Sequence, residues 1–166
     1  MIEGPPASID NRWSSERAGR SSRIGDGPRV VLAAVNGSPT AARAMSYAAG
    51  LARRNSSTLV LLHVHEPPSL TLWGEAMGAP AIGLVADDKG GELLERLSSA
   101  VLEQFDIRVE CILRDGVAAK EITSVAREVH ADVVIVGASC ARLHLLDPSV
   151  PRQLVKHSCC PVTVVA

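Results

Sequence analysis

The stretch Val133-Val134-Ile135-Val136-Gly137-Ala138-Ser139 is the one from which the architecture of this chain follows. It is an uninterrupted apolar run that stops at a glycine and small residues. That pattern reads as a strand buried on both faces. In an open α/β sheet, ligands collect just beyond the carboxyl ends of such strands. The turn at Gly137 is therefore the first place to look for a site.

The same punctuation recurs upstream. Val30 to Val35 is a second buried run, ending at Asn36-Gly37-Ser38. Ser38 followed by Pro39 predicts a helix start, with serine as N-cap and proline at the first helical position. Ala41, Met45, Ala48, Ala49 and Ala52 then recur at helical spacing, a face of small residues suited to lying close to a sheet. Arg53 and Arg54 fall in the last turn, where cations complement the helix dipole. Thr58 to Val64 predicts the next strand, and Ile107 to Leu113 a third whose alternation suits a less buried position. Helices are predicted over Glu92–Gln104, from Ala118 to Val129, and after Ser149, read as the cap of a short helix. Pro161 to Val165 closes the pattern as a last strand. Strands alternating with helices, joined by right-handed crossovers, give an α/β fold: a doubly wound, five-stranded parallel sheet with helices on both faces.

Two segments fall outside this alternation. Residues 1–28 are rich in Pro, Ser, Gly and Arg without apolar periodicity, and read as a disordered N-terminal extension before a domain over 29–166. Residues from about 66 to 91 read as a flexible flap, with Trp73 filling a hydrophobic groove.

Composition narrows the function. The aromatic share is 2%, so the core is aliphatic, and a formal net charge of −1 gives no reason to expect a nucleic-acid partner. No apolar run approaches membrane-spanning length, and no signal-peptide layout opens the chain. Cys111, Cys140, Cys159 and Cys160 show neither a C-x-x-C pair nor metal-type spacing. Free thiols in a reducing cytoplasm, and no metal, are expected. His63 and His65 share a face of their strand, but no matching third ligand accompanies them.

Catalytic signatures are missing as well. No G-x-G-x-x-G, P-loop or G-x-S-x-G motif follows a strand. Asp87-Asp88 stands beside Lys89 and reads as a solvated turn, and the first strand ends in Asn36 where a phospho-acceptor domain needs a carboxylate.

Taken together, several stretches resemble the universal stress protein family. They are Ala33-Ala34-Val35-Asn36-Gly37-Ser38, Leu61-Leu62-His63-Val64, Ala131 through Ser139, and Ser149-Val150 running to Cys160-Pro161-Val162-Thr163-Val164-Val165. The resemblance covers roughly residues 29 to 166. It implies the five-stranded parallel fold shared with adenine nucleotide alpha hydrolase-like proteins, a cytoplasmic role in stress response, and homodimerisation through the last strand, Val162–Val165. An apolar strand at a sheet edge invites a twin on independent grounds.

One branch of that family binds ATP or AMP through a glycine motif after the fourth strand. Its first glycine matches Gly137 and its closing pair matches Ser149-Val150. The other two glycines fall on Cys140 and Pro148, and the seven residues between them leave the loop two residues short. The family's aspartate at the end of the first strand falls on Asn36. Pro148 and Pro151 lack an N–H, and Cys140 takes positive φ less freely than glycine, so a phosphate cradle here loses donors. Ala34, Asn36, Val64, Val136, Gly137, Ser139, Cys140, Ser149 and Val150 are the nucleotide-binding residues that the resemblance implies. The reading is a non-enzymatic regulatory module whose degraded pocket takes adenine nucleotide weakly or not at all. A full ATP- or AMP-binding stress protein, a slow nucleotide hydrolase, and a redox scaffold built on Cys140, Cys159 and Cys160 are the alternatives.

Overall fold

The computed structural model describes residues 27–66, 89–138 and 149–166. Nearly all of the N-terminal extension, most of the flap with Trp73, and Ser139, Cys140 and Pro148 lie outside the described residues. The described chain runs β1 (Val30–Ala34), α1 (Pro39–Asn55), β2 (Thr58–His65), α2 (Lys89–Gln104), β3 (Arg108–Asp115), α3 (Ala118–Glu128), β4 (Val133–Gly137), α4 (Val150–His157) and β5 (Val162–Val165). The strands form one parallel sheet in the order β3-β2-β1-β4-β5.

Period-two alternation divides the sheet between its two helical layers. Leu32, Leu62, Val134 and Val136 face α3 and α4, where Ile122, Val125, Ala126 and Leu154 close over them. Val31, Ala33, Leu59, Leu61 and Ile135 face α1 and α2, against Ala44, Ala48, Ala49, Ala52, Leu94 and Val101. The alanine face of α1 lets that helix sit close above the centre of the sheet. The sheet's middle strands are buried on both sides, as their continuous apolar runs require.

Three boundary signals behave as the sequence predicts. Ser38 caps α1, its Oγ accepting from Ala41 N at 3.1 Å. Gly37 has φ +77°, the left-handed region that the turn after β1 needs. The alternation read in β3 matches its place at the sheet edge, where it is mostly half-buried or exposed.

Others differ. Strand β3 begins and ends later than Ile107–Leu113, because its ladder with β2 continues to His65↔Asp115. The flap cannot extend to residue 91: Lys89-Gly90-Gly91 already belongs to the first turn of α2. Gly90 is needed there for closeness, since a Cβ on it would stand 2.7 Å from His63 Cδ2. Ser149 occupies the N-cap position of α4 but makes no side-chain cap hydrogen bond. Asp132, by contrast, stitches the sheet in a way periodicity does not reveal. Its Oδ2 accepts from Arg29 N at 2.7 Å and Val30 N at 2.9 Å, tying the start of β1 to the start of β4.

Candidate functional site

The strand order reverses between β1 and β4, and a cavity of about 330 Å³ opens above their carboxyl ends. That is where an open α/β sheet splits to admit a ligand, and the volume lies in the range of small-molecule sites. Strand ends supply Ala34, Val35 and Asn36 from β1, Leu62 and Val64 from β2, and Val136, Gly137 and Ala138 from β4. Helix beginnings supply Ser38, Thr40 and Ala41 from α1, Ala118 and Ile122 from α3, and Val150 and Pro151 from α4.

Six of the residues expected from sequence meet in this cavity: Ala34, Asn36, Val64, Val136, Gly137 and Val150. Ser149 is not among its lining residues, and Ser139 and Cys140 lie outside the described residues. The helix contributions from Thr40, Ala41, Ala118 and Ile122 were not anticipated. These residues carry no reactive chemistry and follow the same periodicity as core, so only the topology marks them.

Gly137 has a packing reason to be glycine. A Cβ there would lie 2.6 Å from the carbonyl carbon of Thr40 and 2.7 Å from Ala41 N. Strand β4 therefore passes directly against the first turn of α1.

The polar groups around the cavity are mostly engaged inside the protein. Asn36 Oδ1 accepts from Ser38 N at 3.1 Å, and the Ser38 and Thr40 hydroxyls are 3.1 Å apart. Ala138 N donates to Val165 O at 2.7 Å, and Ala118 N donates to Glu66 Oε1 at 2.7 Å. Pro151 has no N–H to give. The described lining contains no carboxylate, imidazole, thiol or amine side chain.

His63 stands behind the cavity, its Nδ1 2.8 Å from Val35 O. A carbonyl only accepts, so Nδ1 carries the proton, and the ring fixes the end of β1. His65 is exposed at the end of β2. Among the described residues, no group of three or more His, Cys, Asp or Glu is placed to hold a metal ion.

Cys111, Cys159 and Cys160 are free thiols. Burial pushes the Cys111 thiol up, with the Glu95 charge adding to it and the Ser98 hydrogen bond opposing. Burial likewise raises Cys160, against a lowering hydrogen bond from Ser158. Raised thiols are less reactive than ordinary ones, since the thiolate is the nucleophile. Cys159 is exposed.

With a reversed-order parallel sheet and a cavity at its switch point, the molecule has the form of a doubly wound α/β module with a ligand crevice at its strand ends. The sequence profile of the universal stress protein family matches residues 28–166. The chain belongs to that family. It is 32% identical over 143 residues to universal stress protein Sll1654 of Synechocystis sp., covering 82% of this chain and 85% of that protein. A universal stress protein solved in complex with cAMP aligns at 19% identity and TM-score 0.66, covering 84% of this chain and 98% of the other. The universal stress protein from Archaeoglobus fulgidus in complex with dAMP aligns at 22% identity and TM-score 0.60, covering 86% of this chain and 100% of the other. At those identities the two structures establish the fold. No helix among the described residues is long and apolar enough to cross a membrane.

Proposed function

We propose that this chain is a non-catalytic, homodimeric stress-response module whose switch-point cavity receives an adenine nucleoside moiety weakly and gives its phosphates little help. The carrying observation is that several amides around the cavity are already engaged. Those of Ser38, Ala41, Ala118 and Ala138 already donate to Asn36, Ser38, Glu66 and Val165. Phosphate affinity comes from backbone amides left open toward the ligand. The apolar lining, by contrast, suits a flat base. The relatives solved with cAMP and dAMP make an adenine nucleotide the natural ligand class.

Family membership supports a binding role without turnover and a cytoplasmic setting. For the dimer, support comes from β5, the other edge of the sheet, where Val164 is 44% exposed.

Thermal melting with adenosine, AMP and ATP tests the binding reading. A millimolar Kd gives about 1 kcal/mol at roughly 5 mM ligand, a rise of about 2–4 °C. ATP should do no better than adenosine. A rise of about ten degrees with ATP, or steady phosphate release, refutes this reading. Sedimentation tests the dimer: Val164→Lys on the β5 edge should convert it to monomer, and a monomeric wild type refutes it.

A further inference from the structure

The cavity is electrically lopsided. Leu62, Val64, Ala118 and Ile122 form its wall on the β2 and α3 side, and Glu66 stands just beyond that wall. Helix α3 has no cap of its own, because Val117 at the N-cap offers no side-chain acceptor. Glu66 takes the role from 52 residues away, its Oε1 accepting from Ala118 N at 2.7 Å. A carboxylate is stable at a helix N-terminus, where the dipole favours negative charge. A fixed anion therefore stands at the rim of the apolar wall. Arg152 is exposed in the first turn of α4, next to the lining residue Pro151.

This polarity orients a ligand. Phosphate is repelled from the Glu66 side, so the base goes to the apolar wall. There its polar edge meets the carboxylate, whose Oε2 takes no part in the bond to Ala118. A carboxylate only accepts hydrogen bonds. On its N7 edge adenine presents a 6-amino donor, whereas a 6-oxo purine presents only acceptors there.

We infer that Glu66 sets the base preference of this site, selecting a 6-amino purine over a 6-oxo purine. The inference rests on the adenine-nucleoside reading given above. Glu66 serves two purposes with one side chain: it caps α3 and it reads the base edge.

Adenosine and inosine test it, because they differ at the 6-position and neither carries a phosphate. Binding of each is titrated to the full-length protein and to Glu66→Gln by ligand-observed NMR. Glutamine keeps a carbonyl oxygen for Ala118 N, removes the charge, and brings an amide donor that suits a 6-oxo group. The wild type should prefer adenosine by about tenfold, the scale of one hydrogen bond at a partly exposed site. Glu66→Gln should compress the preference to within about twofold, chiefly by tighter inosine binding. If Glu66 only positions α3, both ligands shift together and their ratio stays, which overturns the inference. Equal binding of the two nucleosides by the wild type overturns it too, while leaving the adenine-site reading intact. Binding of neither nucleoside at millimolar concentration overturns both.

Discussion

Replacing Gly137 by alanine separates a packing role from a ligand role at the end of β4. The added Cβ would meet three backbone atoms of α1: the Thr40 carbonyl carbon at 2.6 Å, Ala41 N at 2.7 Å and Thr40 O at 2.9 Å. Backbone cannot rotate aside as a side-chain tip can, so the first turn of α1 must shift. That turn is held by the Ser38 cap, and Thr40 is 4% exposed, so little room exists for the shift. Overpacking of this kind costs about 1–3 kcal/mol. The upper half of that range applies here, and corresponds to a fall in Tm of roughly 4–12 °C for a domain of this size. Urea unfolding of Gly137→Ala and wild type, read by far-UV circular dichroism with no ligand present, measures it. A midpoint change worth less than about 0.5 kcal/mol would refute the close approach of β4 to α1. The same geometry means that loss of nucleotide binding in Gly137→Val would be no evidence for a phosphate contact.

Gly50 is the natural contrast. It lies inside α1, and a Cβ there meets only the Arg54 guanidinium tip at 3.3 Å. Gly50→Ala should stabilise the protein by about 0.5–1 kcal/mol in the same unfolding assay. Asp132→Ala removes the acceptor shared by the Arg29 and Val30 amides and should cost about 2–3 kcal/mol; Asp132→Asn, which keeps an oxygen, should cost less. For the described thiols, iodoacetamide labelling with mass spectrometry should mark exposed Cys159 before Cys111 and Cys160. Because burial raises the thiols of Cys111 and Cys160, their thiolate fraction at a given pH is smaller, and their labelling should rise at higher pH than that of a free cysteine. Faster labelling of Cys160 than Cys159 at neutral pH would contradict this ordering.

Where the sequence speaks clearly, it does so because burial leaves a periodic trace. The runs at Val30–Ala34 and Val133–Gly137 are apolar on both faces and could only be central strands. Ser38-Pro39 states a helix start through local chemistry alone. Other features depend on partners far along the chain. Gly90 and Gly91 look like loop residues until His63 is placed against the helix start that needs a small neighbour. Ser149 has the right side chain for a cap, yet α3 takes its cap from Glu66, which no local pattern connects with Ala118. At the site, Asn36 and Val136 are implied by the family resemblance, and they lie in the cavity lining at the strand ends. Thr40 and Ile122 were not legible, because a helix residue beneath a ligand and one beneath a neighbouring helix share the same periodicity.

The placement of β1 between β2 and β4 has a consequence for how the chain is made. Leu32 pairs with Val60 on one edge and with Val134 on the other. The first partner leaves the ribosome soon after β1, the second only after most of the chain. At about 5–20 residues per second, the intervening synthesis takes roughly five to twenty seconds. Throughout that interval one edge of the apolar strand β1 has no native neighbour, and long-range parallel pairing is slow to form. The nascent chain is thus most exposed to aggregation just before β4 emerges, and the Asp132 contact with Arg29 and Val30 marks the point at which that exposure ends.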